Sequence, residues 1–310
     1  MTAPLAALGA AVLAAADSPH RFADGGQYRV EIPSVEGPAA FEAVLGAAQE
    51  YGVPVHRISQ GSGITLLRDV EITAMAHLGA EHGIEVCLFV GPRAPWEGTA
   101  GALTPDGKHF GWRHTTVSAL SQAYGDVTRA VELGIRSVLV ADEGLIQLIA
   151  TARAAGDLPS DLIVKASAVM GIANPLGASM LVQAGADTLN VASDISVGEL
   201  AAFRSVLTCP LDLYIESPDG LGGFTRYGEL GDIVRVGAPI HLKFGLRNAP
   251  NIYPSGLHLE RAAIETGRER VRRAAIGLEA MARTATSLTA SPAGLARPGV
   301  PTCLSTSANT

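Results

Sequence analysis

The sequence is poor in cysteine, poor in charge and without a long apolar run. Its three cysteines, Cys87, Cys209 and Cys303, lie far apart in 310 residues, and none forms a CxxC spacing. That excludes a disulfide framework, speaks against an iron–sulphur cluster and fits a reducing cytoplasm. Charged residues make up only 17% and the net charge is −7. Basic side chains gather only at Arg268, Arg270, Arg272 and Arg273, alternating with Glu265, Glu269 and Glu279, which is the pattern of a solvated helix face. Without a basic stripe there is no nucleic-acid footprint. No run approaches the ~18 apolar residues of a membrane span. The Ala-rich stretch 3–16 precedes the first basic side chain, Arg21, so it reads as a helix covering one end of the domain rather than as a signal peptide. There is no HxH or HExxH spacing for zinc, and no GxGxxG opens the first helix.

What is present is alternation. Apolar strand-like runs at 28–32, 53–58, 85–90, 137–141, 162–167, 188–191, 211–217 and 239–244 alternate with helical patterns at 38–51, 69–82, 117–133, 143–155, 175–184, 196–206, 227–234 and 257–284. Gly52, Gly83, Gly134 and Gly185 punctuate the helix ends, where a left-handed residue is favoured. Eight β–α units force parallel strands and right-handed crossovers, and eight of them close into a (β/α)8 barrel. The expected organisation is an N-terminal helical extension at 1–26, a barrel at 27–284 and a disordered Ser/Thr/Ala/Pro/Gly-rich tail at 285–310.

In such a barrel the chemistry sits at the carboxyl ends of the strands. Four charged residues interrupt otherwise apolar strands: Glu31, Lys165, Glu216 and Lys243. Burial of each requires a partner. Strands seven, eight and one are neighbours in a closed barrel, so Glu216, Lys243 and Glu31 are expected to converge, with Lys243 paired to Glu216. Three readings stay open. The network is structural; or Lys243 or Lys165 is a desolvated amine that forms a Schiff base; or Glu31, Asp142 and Glu216, with His56, hold a divalent metal. Arg57, Arg93 and Arg247 are candidates to clamp an anion through bidentate hydrogen bonds. Asn190, at the end of strand six, and Asn248 and Tyr253, in the proline-stiffened loop after strand eight, complete the candidate substrate-binding set. Two Gly-rich turns, QGSG at 60–63 and GLGG at 220–223, offer backbone N–H groups to an anion. The irregular stretch 93–115 carries Trp96, His109, Trp112 and His114 and reads as a lid over the barrel mouth.

Residues 164–203, VKASAVMGIANPLGASMLVQAGADTLNVASDISVGELAAF, followed by LDLYIESPDG, resemble the collagenase-like peptidase family, U-32. The matching positions are Asn174, Gly185, Ala186, Asp187 and Ser196. The resemblance implies a TIM barrel and a peptidase label. Several relatives act instead in RNA or quinone hydroxylation, through a cluster on four cysteines. Three scattered cysteines, none near Glu216, set this chain apart from them, and no nucleophile–His–Asp arrangement is visible. The functional expectation is hydrolytic or lyase-type cleavage of a small anionic metabolite by a cytoplasmic enzyme, compatible with a homo-oligomer. The alternatives are a lysine Schiff-base aldolase and a non-catalytic binding or partner subunit.

Overall fold

Eight parallel strands close on themselves in chain order, β1 to β8, with β8 pairing back onto β1. They are β1 (Tyr28–Pro33), β2 (Val55–Ser59), β3 (Glu85–Phe89), β4 (Ser137–Val140), β5 (Ile163–Ala166), β6 (Thr188–Asn190), β7 (Leu211–Glu216) and β8 (Ile240–Phe244). The computed structural model describes residues 3–91, 112–285 and 287–303. Around the strands run α2 (Pro38–Tyr51), α3 (Asp69–His82), α4 (Val117–Glu132), α5 (Glu143–Ala155), α6 (Pro175–Ala184), α7 (Val197–Arg204), α8 (Leu230–Gly237) and α9 (Glu260–Thr284), preceded by α1 (Ala3–Ala14). The chain is thus a (β/α)8 barrel, as its alternation implies. Among the described residues no helix is long and apolar enough to cross a membrane.

Local chemistry explains where the elements begin and end. Thr116, Asp142, Asn174 and Ser196 each accept a backbone N–H from the first turn of α4, α5, α6 and α7. Gly52, Gly83, Gly156 and Gly185 end α2, α3, α5 and α6 in the left-handed conformation. The residues that resemble the peptidase family belong to this scaffolding. Asn174 and Ser196 are caps, and Asp187 accepts Val164 N at 2.7 Å and pairs with Arg153 at 2.6 Å. None of the five lines the barrel mouth.

The amino-terminal end of the barrel is closed differently from expectation. α1 packs along α7 in the outer ring instead of covering an end. The floor is covered by the segment after it, together with part of the tail. Phe22 stands edge-on to His241 at 5.1 Å, and Arg29 lies 3.9 Å above the Phe22 ring. Ala290 bridges to Tyr28, Gln27 N donates to Thr289 O at 2.7 Å, and Ser291 N donates to Tyr28 O at 3.0 Å. Of the segment expected to be disordered, residues 287–303 are therefore held against the barrel, and 304–310 lie outside the described residues. A Cβ added at Gly26 would meet the Ser291 backbone N at 2.6 Å. Gly26→Ala is accordingly expected to cost about 1–3 kcal/mol, because backbone on both sides must move. A chemical denaturation curve identical to wild type would show that this strap is not seated in solution.

Side chains alternate along each strand, and the register between strands shifts twice, once between Val30 and Glu31 where β1 pairs with β2 and once on β7. Asp212 and Tyr214 of β7 point into the barrel, but the register of β7 against β8 shifts between Tyr214 and Glu216. Glu216 consequently pairs in register with outward-facing Phe244 rather than with an inward residue. This bulge decides the composition of the site.

Candidate active site at the barrel mouth

The barrel interior is charged where most barrels are aliphatic. Arg57 lies between three carboxylates: Glu85 at 2.8 Å, Asp212 at 2.6 Å and Glu31 at 3.2 Å. Lys165 also bonds to Glu31 and lies 3.8 Å from Asp212. Lys243 lies 3.4 Å from Glu31 on the mouth side. Three cations (Arg57, Lys165, Lys243) thus face three carboxylates (Glu31, Glu85, Asp212), all 3% exposed or less. Burial alone would raise the Glu31 and Asp212 carboxyls. Lys165 contributes most to outweighing it, so both are held below the usual carboxylate range. Burial likewise opposes the Arg57 charge, and Glu85, Asp212 and Glu31 more than offset it. For Lys165 burial wins and its amine titrates below the ordinary lysine value. Ser59 donates to Glu31 at 2.8 Å and Thr188 to Asp212 at 2.5 Å, which satisfies the remaining lone pairs.

Two histidines belong to the floor. His56 Nδ1 accepts Val30 N at 3.0 Å and Nε2 donates to Ser291 O at 2.8 Å, so the ring is neutral and faces the C-terminal strap. His241 lies 3.0 Å from Asp212. Burial pushes both down to about 4 from 6.5. The folded value lies below the unfolded one, so between pH 4 and 6.5 the unfolded chain binds more protons. The stability this contributes is complete above pH 6.5 and is lost as pH falls towards 4. Going from pH 7 to pH 5 is expected to cost about 2–4 kcal/mol, at roughly 1.4 kcal/mol per pH unit for each ring. Urea midpoints that do not fall over that interval would refute it.

Above this layer the mouth opens into a cavity of about 760 Å³. Its polar lining includes Lys243, Asn190, Tyr214, Tyr253, Ser34 and Arg270, and its apolar lining includes Phe89, Trp112, Leu139, Leu221, Leu246 and Ile252. Lys243 Nζ sits 4.4 Å from the centre of the Tyr214 ring. With its amide turned to satisfy its neighbours, Asn190 donates to Asp212 O at 3.1 Å and accepts from Lys243 Nζ at 2.6 Å. Tyr253 bonds to Ser34, whose φ of 63° is left-handed. Burial pushes the Tyr214 phenol up to about 12 and raises Tyr253 as well.

The structure therefore joins Glu31, Lys165, Lys243, Asn190 and Tyr253 in or beneath the mouth and removes others. Glu216 does not meet Lys243. Beyond the bulge it accepts from Tyr227 OH at 2.5 Å and from Arg247 N at 3.0 Å, and lies 3.4 Å from Arg273. Lys165 is fully buried beneath the mouth and contributes no surface to the cavity. Arg57 is consumed by its three carboxylates and is not available to clamp a substrate. Arg247 is half exposed on the rim, 3.7 Å from Asp219, and Asn248 N donates to the same Asp219 at 2.6 Å. Asp142 caps α5 and accepts His114 N at 3.0 Å. The metal set of Glu31, Asp142 and Glu216 therefore does not assemble, and no group of three or more His, Cys, Asp or Glu able to hold a metal occurs among the described residues. The N–H groups of Gly61 and Ser62 in the QGSG turn bond to Glu36 at 2.8 and 3.0 Å, not to an open anion site. Arg93 and nearly all of the expected lid, 93–111, lie outside the described residues; Trp112, at its edge, lines the mouth.

Asp212, Glu85 and Arg270 escaped the reading of the sequence. Asp212 shares the inward parity of Tyr214, and that signal was available. Arg270 sat in what reads as a solvated Arg/Glu face. Yet Ala263, Gly267, Arg270, Ala274, Gly277 and Met281 recur at three- and four-residue spacing and form the buried stripe of α9. Periodicity, not charge, marks Arg270 as inward.

No protein-family model matches the chain, and no curated protein matches it. Solved structures do. A U32 peptidase structure is 17% identical over 62% of this chain and 70% of its own, with a TM-score of 0.40. A native KDPGal structure is 14% identical over 80% and 95%, with a TM-score of 0.42. The 4-hydroxy-tetrahydrodipicolinate synthase of Methylacidiphilum fumariolicum is 11% identical over 80% and 77%, with a TM-score of 0.42. Likenesses at this level do not say what the chain binds, so its chemistry must be argued from its own site.

Proposed function

We propose that the chain is an enzyme for a small organic anion, acting on a carbonyl carbon by lyase-type chemistry at Lys243. One observation carries this. Among the described residues Lys243 is the amine that lines the mouth cavity, held by Glu31, Asn190 and the Tyr214 ring, while Lys165 is sealed below it. A positioned amine in a water-restricted pocket adds to a carbonyl and, after loss of water, forms an imine. Tyr214, whose ring centre lies 4.4 Å from Lys243 Nζ, and Tyr253 line the same cavity, and burial keeps both phenols protonated at neutral pH, so they are the groups placed to donate protons. Peptide hydrolysis has less support, because no histidine is among the described residues lining the mouth to activate Ser34 or Ser167.

The balance of three cations against three carboxylates favours a second reading, in which Lys243 remains an ammonium and the chain binds its anion without turnover. Borohydride reduction in the presence of 2-oxo acids separates the two. An imine reading requires a reduced adduct mapping to Lys243 by peptide mass spectrometry. Saturable binding with no adduct supports the ammonium reading, and neither binding nor adduct removes both.

A further inference from the structure

Arg270 enters the mouth from α9 and is 5% exposed. Its Nη1 donates to Thr266 Oγ1 at 3.1 Å, one turn back on the same helix, and its Nε has no partner among the described residues. The nearby acids are engaged elsewhere. Glu36 accepts from Gly61 N, Ser62 N and Ser62 Oγ, and Glu216 from Tyr227, Arg247 N and Arg273. No carboxylate among the described residues forms an ion pair with Arg270. A guanidinium is seldom buried unpaired, since removal from water costs several kcal/mol. Its planar fork matches a carboxylate through two parallel bonds. The same cavity is lined by the apolar side chains of Phe89, Trp112, Leu139, Leu221, Leu246 and Ile252. A cavity of about 760 Å³ far exceeds what a three-carbon acid fills, and falls in the range of ligands with an extended body.

We infer that Arg270 is the carboxylate-binding, specificity-determining residue of the mouth, and that its ligand is an organic acid with an apolar, ring-sized body. This rests on the reading of the mouth as the binding site for an organic anion, but not on imine formation at Lys243. The carboxylate bonds to the fork of Arg270, and the body lies against the Phe89–Trp112 wall.

The test is equilibrium binding by calorimetry to the full-length protein, with phenylpyruvate, its ethyl ester and pyruvate as probes. Wild type should bind phenylpyruvate about 100-fold more tightly than the ester, the scale of losing one partner of a buried charge pair. It should also bind it about 10- to 100-fold more tightly than pyruvate, from burial of the ring. Arg270→Gln should abolish the acid-over-ester preference while leaving ester affinity unchanged, and Arg270→Lys should restore part of it. Lys243→Met should retain the acid-over-ester preference. Because Arg270 has no carboxylate partner to strand, Arg270→Gln should melt no lower than wild type. Failure of the acid to bind, a preference that survives in Arg270→Gln, or equal affinity for pyruvate overturns the inference. A missing borohydride adduct with these affinities intact counts against the chemistry at Lys243 and supports the assignment of Arg270.

Discussion

Arg57→Met is expected to lose at least about 3–5 kcal/mol of stability at pH 7, enough to leave much of a domain of ordinary stability unfolded at 37 °C. Arg57 is within 3.2 Å of Glu31, Glu85 and Asp212. Its removal leaves three buried carboxylates facing only Lys165 and Lys243, and Lys165 reaches Glu31 and Asp212 but is paired with no atom of Glu85. Among the described residues Glu85 would keep only its bond from Ser137 at 2.7 Å. One carboxylate must then take up a proton, so the mutant should lose less stability than wild type on moving from pH 7 to pH 5, because that protonation offsets part of the cost of charging His56 and His241. Urea titration at the two pH values reads both effects. A midpoint near wild type would mean that the cluster is wet enough to tolerate a missing charge, and the charged-core account would be abandoned.

Lys243→Met should behave in the opposite way. Glu31 keeps Lys165, Arg57 and the Ser59 hydroxyl, so the lost Lys243 contact at 3.4 Å is the weakest of its set. The expected cost is about 1–2 kcal/mol, well under that of Arg57→Met. The imine adduct, and any turnover that depends on it, should vanish. The decisive outcome is the combination: a nearly normal melt with no adduct assigns Lys243 to chemistry. A variant that melts far lower yet still traps a 2-oxo acid would make Lys243 a structural ion and would require another amine. Lys165 would be the only other lysine in the ion cluster, and it could react only if the mouth opened much further than its full burial implies.

Both predictions turn on contacts that the sequence only partly disclosed. Glu31, Lys165 and Lys243 were legible as charges in apolar strands, because such burial demands partners whatever the fold. The meeting of Glu31 and Lys243 followed from the adjacency of β1 and β8, whereas Lys165, on β5, reaches Glu31 across the barrel, a contact that adjacency does not predict. Glu216 was misplaced for one reason: alternation predicts its parity from Tyr214, and a single bulge between them inverts it. Arg57 was read as a clamp for substrate because an arginine near a strand end looks available. Its position opposite Asp212, on the far side of the barrel, could not be read from either strand alone. Arg270 was read as solvated because its neighbours in sequence are charged, although its neighbours on the helix surface are small and buried.

The sequence by itself determined the period of each segment, the capped ends of the helices and hence the eightfold barrel. These are properties of neighbouring residues and survive in any context. Tertiary structure alone decided which charges meet, which lysine reaches the cavity, that Arg270 faces inward without a carboxylate, and that residues 287–303 strap the floor. The physical reason is range. Caps and periodicity are settled within a turn or two of chain, whereas an ion pair across a barrel depends on register, bulges and the closure of all eight strands together.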